Sequence, residues 1–237
     1  CVAYLFYMKE LITIVIPCKN ERELIGKTLS YLDNQNDISG VNVIIADSST
    51  DDTMDIIVRM SFKSINVTFT DGGIPSVARN NGADLVKTPY VLFLDADMFL
   101  VNPDTIKDCL VEADKYDLIS CRFRINGEYS FVFPAFEFVR DLFMWYSPCI
   151  IGGFMLFNTH KFINTYGKFD ETAIIAEDYL ISSKINPNLI KIINHNIFTT
   201  NRRFKNKGLW YMIKIMILAT INKNNHKFFT NDRNYWI

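Results

Sequence analysis

Apolar runs and helix-period segments alternate along the first hundred residues. The apolar runs have the length of strands and lie at residues 11–16, 41–46, 65–69 and 90–94. The helix-period residues between the first two runs are Leu24, Thr28, Leu29 and Leu32. Residues 76–86 predict a further helix. Such alternation is typical of an α/β fold with a mainly parallel, Rossmann-like sheet flanked by helices.

Polar residues predict where helices begin. Asn20 and Glu23 form a capping-box pattern ahead of the first helix. Asn102 followed by Pro103 predicts the start of a helix that continues to about residue 113. The regular alternation therefore ends near residue 101, and a mixed pattern follows.

The second part of the chain combines a strand, predicted at residues 118–124, with an aromatic-rich stretch. The aromatic residues of this stretch are Phe131, Phe133, Phe136, Phe138, Phe143, Trp145 and Tyr146. We predict that these rings form core or the wall of a groove rather than a cofactor-binding box. Sugar rings also stack on aromatic side chains, so the groove wall remains a functional alternative.

A basic segment leads into an apolar one near the C-terminus. Arg202, Arg203, Lys205 and Lys207 precede the apolar residues 208–221. The apolar segment is too short to span a bilayer. Peripheral contact with an anionic membrane, burial against the domain and a homodimer contact all remain open.

Composition favours one compact domain. The chain has 237 residues, 49% of them hydrophobic, which suffices for a substantial core. A net charge of −1 with scattered acids and bases argues against a nucleic-acid binder. Five cysteines without a Cys-x-x-Cys pair indicate neither a disulfide framework nor a zinc site, so we expect a reducing, cytoplasmic compartment.

The first residues show neither a basic leader nor a small-residue cleavage site, and we expect no signal peptide. Because the chain begins with Cys1, our hypothesis is an incomplete amino terminus or a native start at Met8.

Asp95 and Asp97 follow the fourth predicted strand directly. Residues at i and i+2 of an extended segment share a face, and hard oxygen ligands suit Mg²⁺ or Mn²⁺. Ligands of open α/β sheets bind outside the carboxyl ends of the strands. The pair therefore predicts a site for a metal-bound diphosphate, with a strand-ending turn of solvated acids as the alternative.

Several segments around this pair occur in a characteristic order. They are residues 13–21 (TIVIPCKNE), 43–53 (VIIADSSTDDT), 78–83 (ARNNGA), 152–157 (GGFMLF), 167–170 (GKFD) and 177–178 (ED). From about residue 11 to about residue 205 the chain thereby resembles the inverting family 2 glycosyltransferases of GT-A fold. The resemblance implies one GT-A domain over residues 1–237. Its parts would be a nucleotide-sugar-binding half at about 8–101, an acceptor-binding half at about 102–200, and a basic, apolar C-terminal helix and tail at about 201–237.

The resemblance also implies roles for individual residues. The nucleotide-sugar site would include Pro17, Asn20, Glu21, Asp47, Arg79, Asp95 and Asp97. Asp97 would be the first ligand of Mn²⁺ or Mg²⁺ and Asp95 its partner, reaching the ribose or acting through water. Asp178 would be the general base, with Glu177 as its neighbour.

Two of these assignments have structural alternatives. Asp47 can accept a hydrogen bond from a uracil imide or a ribose hydroxyl, or it can simply form a turn. The family usually has two adjacent acids here, and this chain has Ala46 before Asp47. Arg79 can bind the diphosphate or close the nucleotide pocket, or it can be an exposed helix charge.

The implied reaction moves one sugar from a nucleotide sugar, expected to be a UDP-sugar, to a hydroxyl of a glycan or lipid-linked glycan. Processive synthases of the family carry a Gln-x-x-Arg-Trp motif and spanning helices, which this sequence lacks, so single-sugar addition is favoured. A polyprenyl-phosphate sugar synthase is the alternative of the same fold. A non-catalytic nucleotide-sugar-binding subunit is the alternative of another class.

Overall fold

The computed structural model describes residues 7–146 and 148–231, without the side chains at positions 212 and 216. The strands are β1 Ile12–Cys18, β2 Asn42–Asp47, β3 Asn66–Asp71, β4 Tyr90–Leu94, β5 Leu118–Ile125, β6 Phe154–Asn158 and β7 Ile190–Thr199. The helices are α1 Met8–Leu11, α2 Ile25–Asp33, α3 Thr53–Arg59, α4 Pro75–Ala83, α5 Thr105–Glu112, α6 Val132–Phe143, α7 Thr159–Asn164, α8 Glu177–Ser182, α9 Arg202–Lys207, α10 Leu209–Ile221 and α11 His226–Phe229, with a 3₁₀ turn at Pro187–Leu189.

The strands form one sheet in the order β3-β2-β1-β4-β6-β5-β7. β1 pairs in parallel with β2 and β4, β2 with β3, and β5 with β7. β6 is antiparallel to both of its neighbours, β4 and β5. The predicted fold class, a mainly parallel sheet of GT-A type flanked by helices, is confirmed.

Alternate residues of the central strands face two different cores. Ile14 and Leu92 belong to one cluster of buried side chains, while Val15 and Phe93 belong to the other. Strands buried on both faces read as continuous apolar runs, which explains why the sequence pattern located them. α2 covers the first core with Ile25, Leu29 and Leu32.

α4 lies unusually close to β1 on the opposite face of the sheet. A Cβ built on Gly82 would lie 2.3 Å from Cγ1 of Val15, which is shorter than any van der Waals contact between two carbon atoms. Glycine at this position therefore allows the helix to approach the strand. The approach places the preceding residues of α4, including Arg79, over the end of the sheet.

The predicted strands and helices occur at the expected places, but the capping box at Asn20 is wrong. α2 begins at Ile25, and Leu24 in the cap position makes no side-chain capping bond. Asn20 has φ 55° and uses its side chain elsewhere: its Oδ1 accepts the Thr50 N–H at 2.8 Å. The residue joins the loops after β1 and β2 instead of capping a helix.

Most rings of the aromatic stretch are exposed, so the core alternative is wrong for them, and the groove wall stays a prediction. In α6 it is the charged residues Glu137 and Arg140 that are buried, whereas Phe138 is 73% exposed. The other rings of the stretch that are more than half exposed are Phe131, Phe143, Trp145 and Tyr146. Phe133 is partly buried and packs against the core.

The reversal has a physical reason in the neighbouring strand. β6 pairs only with Leu118 and Ile119 of β5, so the rest of that strand edge faces α6. Glu137 accepts the N–H of Phe123 there at 2.8 Å and pairs with Arg124 at 2.9 Å. A carboxylate satisfied in this way can be buried, and the apolar face of the helix is left outside.

The apolar C-terminal segment forms α10, which is half embedded. Ile215 and Ala219 are buried, and Ala219 packs with Phe228 and Phe229. The opposite face exposes apolar side chains, among them Trp210 at 80%. None of the helices in the described residues is both long and apolar enough to cross a membrane.

Candidate functional site

One edge of the sheet collects the predicted site residues. β1, β2 and β4 are parallel, so Cys18, Asp47 and Leu94 end their strands on the same side. β6 runs the other way, and its first residue, Phe154, pairs with Leu94. The glycines before β6 thus meet the acids after β4, and the Asp95 N–H donates to the carbonyl of Gly153 at 3.1 Å.

Arg79 links this edge to the start of α8. It is 3% exposed; its Nη2 lies 2.6 Å from Oδ1 of Asp95, and its Nη1 lies 2.5 Å from Oε1 of Glu177. Burial opposes the charged form, but the two carboxylates hold the pKa of the Arg79 guanidinium above its usual range. The alternative of an exposed helix charge is therefore wrong. Both amino arms of the guanidinium are directed at protein carboxylates.

Neighbouring residues of α4 support this placement. The Asn80 side chain donates to the Phe169 carbonyl at 2.9 Å and accepts the Phe169 N–H at 3.1 Å. The Phe169 ring centroid lies 5.3 Å from Cζ of Arg79. Three residues of the Ala-Arg-Asn-x-Gly segment thus have separate physical roles. Gly82 allows α4 to approach β1, Asn80 holds the backbone at Phe169, and Arg79 bridges two carboxylates.

Asp178, the predicted base, is held by two backbone amides. Its Oδ2 accepts the Gly152 N–H at 2.7 Å, and its Oδ1 accepts the Tyr179 N–H at 2.8 Å. A Cβ on Gly152 would lie 3.0 Å from Cβ of Asp178, so a larger residue would crowd the carboxylate. Burial, followed by the neighbouring Glu177 carboxylate, raises the pKa of Asp178 to about 6, against opposing contributions from Arg79 and the two amides.

Asp97 lies beside Thr199 at the end of β7. The Thr199 hydroxyl donates to Oδ2 of Asp97 at 3.2 Å, and Phe99 pairs with Phe198 as an isolated bridge. Burial raises the pKa of Asp97 to about 6, and the nearby carboxylates of Asp95 and Glu21 add to the shift. Burial is the larger cause, and the contribution of the two carboxylates shows that negative charge also lies close to Asp97.

Positive charge reaches the same place from α9. Arg202 Nη2 lies 2.5 Å from Oε1 of Glu21, and both Arg202 and Arg203 lower the pKa of Asp97. Sequence reasoning assigned these arginines to the basic segment before α10 and missed their position over the site. The local sequence pattern could not predict the position of these arginines, because that position depends on β7 ending at the same edge of the sheet as β4.

Asp47 has the geometry of a turn-forming acid. Its Oδ1 accepts the Ser49 hydroxyl at 2.6 Å, and its Oδ2 accepts the Ser49 N–H at 3.2 Å. Pro17 lies nearby on β1, in register with Ala46. Asp47 lies at the edge predicted for the nucleotide, and its role toward a base or ribose stays a prediction.

The acids at this edge fit a divalent cation. Oε2 of Glu21 is buried and has no hydrogen-bond partner within the described part of the chain, and the carboxylates of Asp95 and Glu21 lie close enough to Asp97 to contribute to its raised pKa. No group of three or more His, Cys, Asp or Glu side chains among the described residues could hold a metal by itself. Mg²⁺ commonly uses one or two carboxylates together with substrate phosphates and water, so Asp97 and Asp95 would hold the ion jointly with the donor.

Fold and edge together define a GT-A-type sheet with an acidic site at its strand ends. Residues 13–167 match the family model of the glycosyl transferase family 2, and the chain belongs to that family.

Two curated relatives match parts of the chain. Over 96 residues, 38% of this chain, it is 36% identical to a poly(ribitol-phosphate) beta-glucosyltransferase of Bacillus spizizenii. Over 91 residues, 37% of this chain, it is 35% identical to a chondroitin synthase of Escherichia coli. The aligned stretches cover only 15% and 13% of those relatives' own lengths.

Solved structures share the fold. A mannosyltransferase from Pyrobaculum calidifontis, in complex with GDP-Man and Mn²⁺, superposes with TM-score 0.66 at 18% identity, covering 94% of this chain and 65% of that one. Residues 1–349 of TarS from S. aureus, in complex with UDP-GlcNAc, give TM-score 0.59 at 21% identity, covering 80% and 58%.

Proposed function

We propose that the chain is an inverting, metal-dependent glycosyltransferase that moves a single sugar from a nucleotide sugar, a UDP-sugar, to a hydroxyl of a glycan or lipid-linked glycan. One observation carries the proposal: Arg79 joins Asp95, on the donor side, to Glu177, the neighbour of Asp178. The acid proposed to bind the donor and the acid proposed as the base thus lie in one cluster. Complexes of structural neighbours with UDP-GlcNAc and with GDP-Man and Mn²⁺ support a nucleotide-sugar donor.

Asp178 would act as the general base. With a pKa of about 6 the carboxylate is ionised at neutral pH, yet it remains basic enough to take a proton from an attacking hydroxyl. The Gly152 N–H orients one oxygen, and Arg79 draws the Glu177 carboxylate toward itself. One direct displacement at the anomeric carbon then inverts its configuration.

The donor diphosphate would lie over the ends of β1, β2 and β4. Arg202 and Arg203 on α9 would supply positive charge to the phosphates, and Asp97 with Asp95 would hold the cation. A bound divalent ion would provide Lewis-acid stabilisation of the departing diphosphate. Preorganised charge of this kind is usually the largest contribution to such a reaction.

The proposal is tested by thermal stabilisation and turnover with uridine, guanosine and thymidine diphosphate sugars, with and without Mn²⁺. We expect one donor class to bind and to be hydrolysed only with metal, and Asp97→Asn to lose both effects. Asp55→Asn, an exposed acid on α3, is the matched control that should retain them. Failure of every donor to bind the wild-type chain would refute the nucleotide site, and a donor that binds without hydrolysis or transfer would favour a binding subunit.

A further inference from the structure

α6 presents an apolar face to solvent, while two of its three charged residues are inside and only Asp141 is exposed. Phe138, Leu142 and Trp145 are 73%, 59% and 74% exposed, whereas Glu137 and Arg140 are almost fully buried. A surface helix of a globular protein normally has the opposite arrangement. Contiguous exposed apolar patches are uncommon on soluble monomers and mark interaction surfaces.

α10 presents a second apolar face of the same kind. Trp210, Ile217 and Ile221 are 80%, 55% and 72% exposed, on the side opposite to the buried Ile215 and Ala219. We call the exposed Phe138, Leu142, Trp145, Trp210, Ile217 and Ile221 the aromatic surface.

The two helices are connected at both ends. Phe204 of α9 stacks on Tyr129 with centroids 5.9 Å apart and meets Phe133 of α6 edge-on at 6.0 Å. At the other end, Nζ of Lys223, just after α10, lies 4.8 Å from the centroid of the Tyr146 ring. α6 and α10 are therefore parts of one region of the molecule.

The C-terminal part of this region is strongly basic although the whole chain is nearly neutral. Apart from Arg202 and Arg203, which lie over the site, residues 201–231 contain five Lys residues and no Asp or Glu, while the net charge of the chain is −1. Lys205 and Lys214 are among the exposed cations of α9 and α10. Basic side chains beside exposed aromatic and aliphatic ones suit a surface of anionic lipid.

We propose that the aromatic surface docks on an anionic lipid bilayer, with Trp145 and Trp210 entering the headgroup region and the flanking lysines meeting the phosphates. Two other occupants fit less well. In a symmetric dimer the same patch meets itself, so the cations of α9 and α10 would oppose one another. A dissolved polyanion would bind the lysines, but its binding would not be strengthened by the exposed apolar side chains of Phe138 and Leu142.

The experiment is co-sedimentation of the 237-residue chain with vesicles of phosphatidylcholine alone and of phosphatidylcholine with phosphatidylglycerol. We expect binding to the anionic vesicles only. The combined change Phe138→Ser, Trp145→Ser and Trp210→Ser should weaken it at least about tenfold. The change Lys205→Gln with Lys214→Gln should also weaken it about tenfold or more, and added salt should do the same.

Val58→Ser with Val111→Ser is the matched control, because these valines are 68% and 67% exposed outside both helices. It should bind vesicles like the wild type. All variants change exposed side chains, and unaltered circular dichroism and thermal unfolding would show that they fold.

Three results would overturn the proposal. The first is vesicle binding that the triple serine variant retains. The second is capture by heparin with no capture by vesicles, which would identify an anionic polymer. The third is a wild-type chain that is a dimer in light scattering and does not bind vesicles, together with a triple serine variant that is a monomer.

Discussion

Two acids proposed for the two sides of the reaction, Asp47 toward the donor and Asp178 toward the acceptor, are held in different ways. Asp47 makes its contacts with Ser49, two residues along its own turn. Asp178 depends on Gly152, 26 residues away, and its neighbour Glu177 depends on Arg79, 98 residues away. A strand end positions the first acid, and contacts between distant segments position the second. Perturbing the contacts of Gly152 and Arg79 should therefore displace Asp178 before Asp47.

Asp178→Asn should have the largest effect, because it should lower sugar transfer and leave donor binding unchanged. Removing a general base typically costs about a hundredfold to ten-thousandfold in rate, while the strand-end acids that would hold the donor are untouched. We expect transfer to fall by that range and donor affinity, measured by calorimetry, to remain within about twofold. Asp55→Asn should leave both unchanged. Near wild-type transfer by the variant would remove Asp178 from the mechanism.

The contact that joins the two sides is tested by Arg79→Gln. The change leaves the buried Glu177 carboxylate without its partner, and breaking a buried pair from one side costs about 3–5 kcal/mol. Urea unfolding should report a loss of this size, together with lower transfer.

A double-mutant cycle supplies the control for Arg79. Glu177→Gln in the Arg79→Gln background should recover part of the lost stability, because the unpaired buried charge is removed. Strictly additive losses would mean that the ion pair contributes no coupling.

The pH dependence distinguishes the base from the donor acids. Burial and the Glu177 carboxylate raise the pKa of Asp178 to about 6, so the rate should fall about tenfold per pH unit below about pH 6 and be level above it. The assay needs saturating donor and Mn²⁺, because the pKa of Asp97 is also raised to about 6. A rate independent of pH down to about 5 would contradict the assignment.

The same shift has a consequence for stability. Between the ordinary carboxyl pKa of 3.8 and about 6, folded Asp178 binds more protons than unfolded Asp178. This group therefore lowers the free energy of unfolding as pH rises through that interval and contributes no further change above it. Asp178→Asn should remove this contribution from a titration of stability against pH.

The smallest expected effect concerns the close approach of α4 to β1. A methyl group on Gly82 would overlap Val15, and overpacking of this kind costs about 1–3 kcal/mol. Gly82→Ala should lower the midpoint of thermal unfolding accordingly. Gly26→Ala in α2 meets only the Met60 side chain, with Sδ at 3.5 Å, and should be neutral or stabilising by up to about 1 kcal/mol. Equal effects of the two substitutions would argue against steric control by α4.

β1, β2 and β4 of the parallel half were predictable because they are buried on both faces. The apolar run at residues 90–94 predicted a strand, and β4 has those bounds. Asp95 and Asp97 could then be placed at the sheet edge, since parallel strands end together. What the pattern could not supply was the pairing of β4 with the antiparallel β6, which is decided by side chains far apart in sequence.

α6 and Arg202 show where local pattern was insufficient. Aromatic content suggested core for α6, but the open edge of β5 offered Glu137 an N–H and two arginines, and satisfied charge replaced apolar packing inside. Arg202 resembled part of a membrane-facing basic run, and its position over the site follows only from β7 ending beside Asp97. The burial of Glu137 and the position of Arg202 both depend on tertiary partners that the local pattern does not contain.

One guanidinium shared by two carboxylates has an evolutionary consequence. Replacing Arg79 leaves the carboxylates of Asp95 and Glu177 without their ion-pair partner. Descendants of this chain should therefore keep or lose Arg79, Asp95 and Glu177 together. Asp47 makes no ion pair with these three residues, and its bonds to Ser49 lie within its own turn, so it can vary independently of them. Covariation among these positions in diverging sequences would record which contacts selection has treated as a unit.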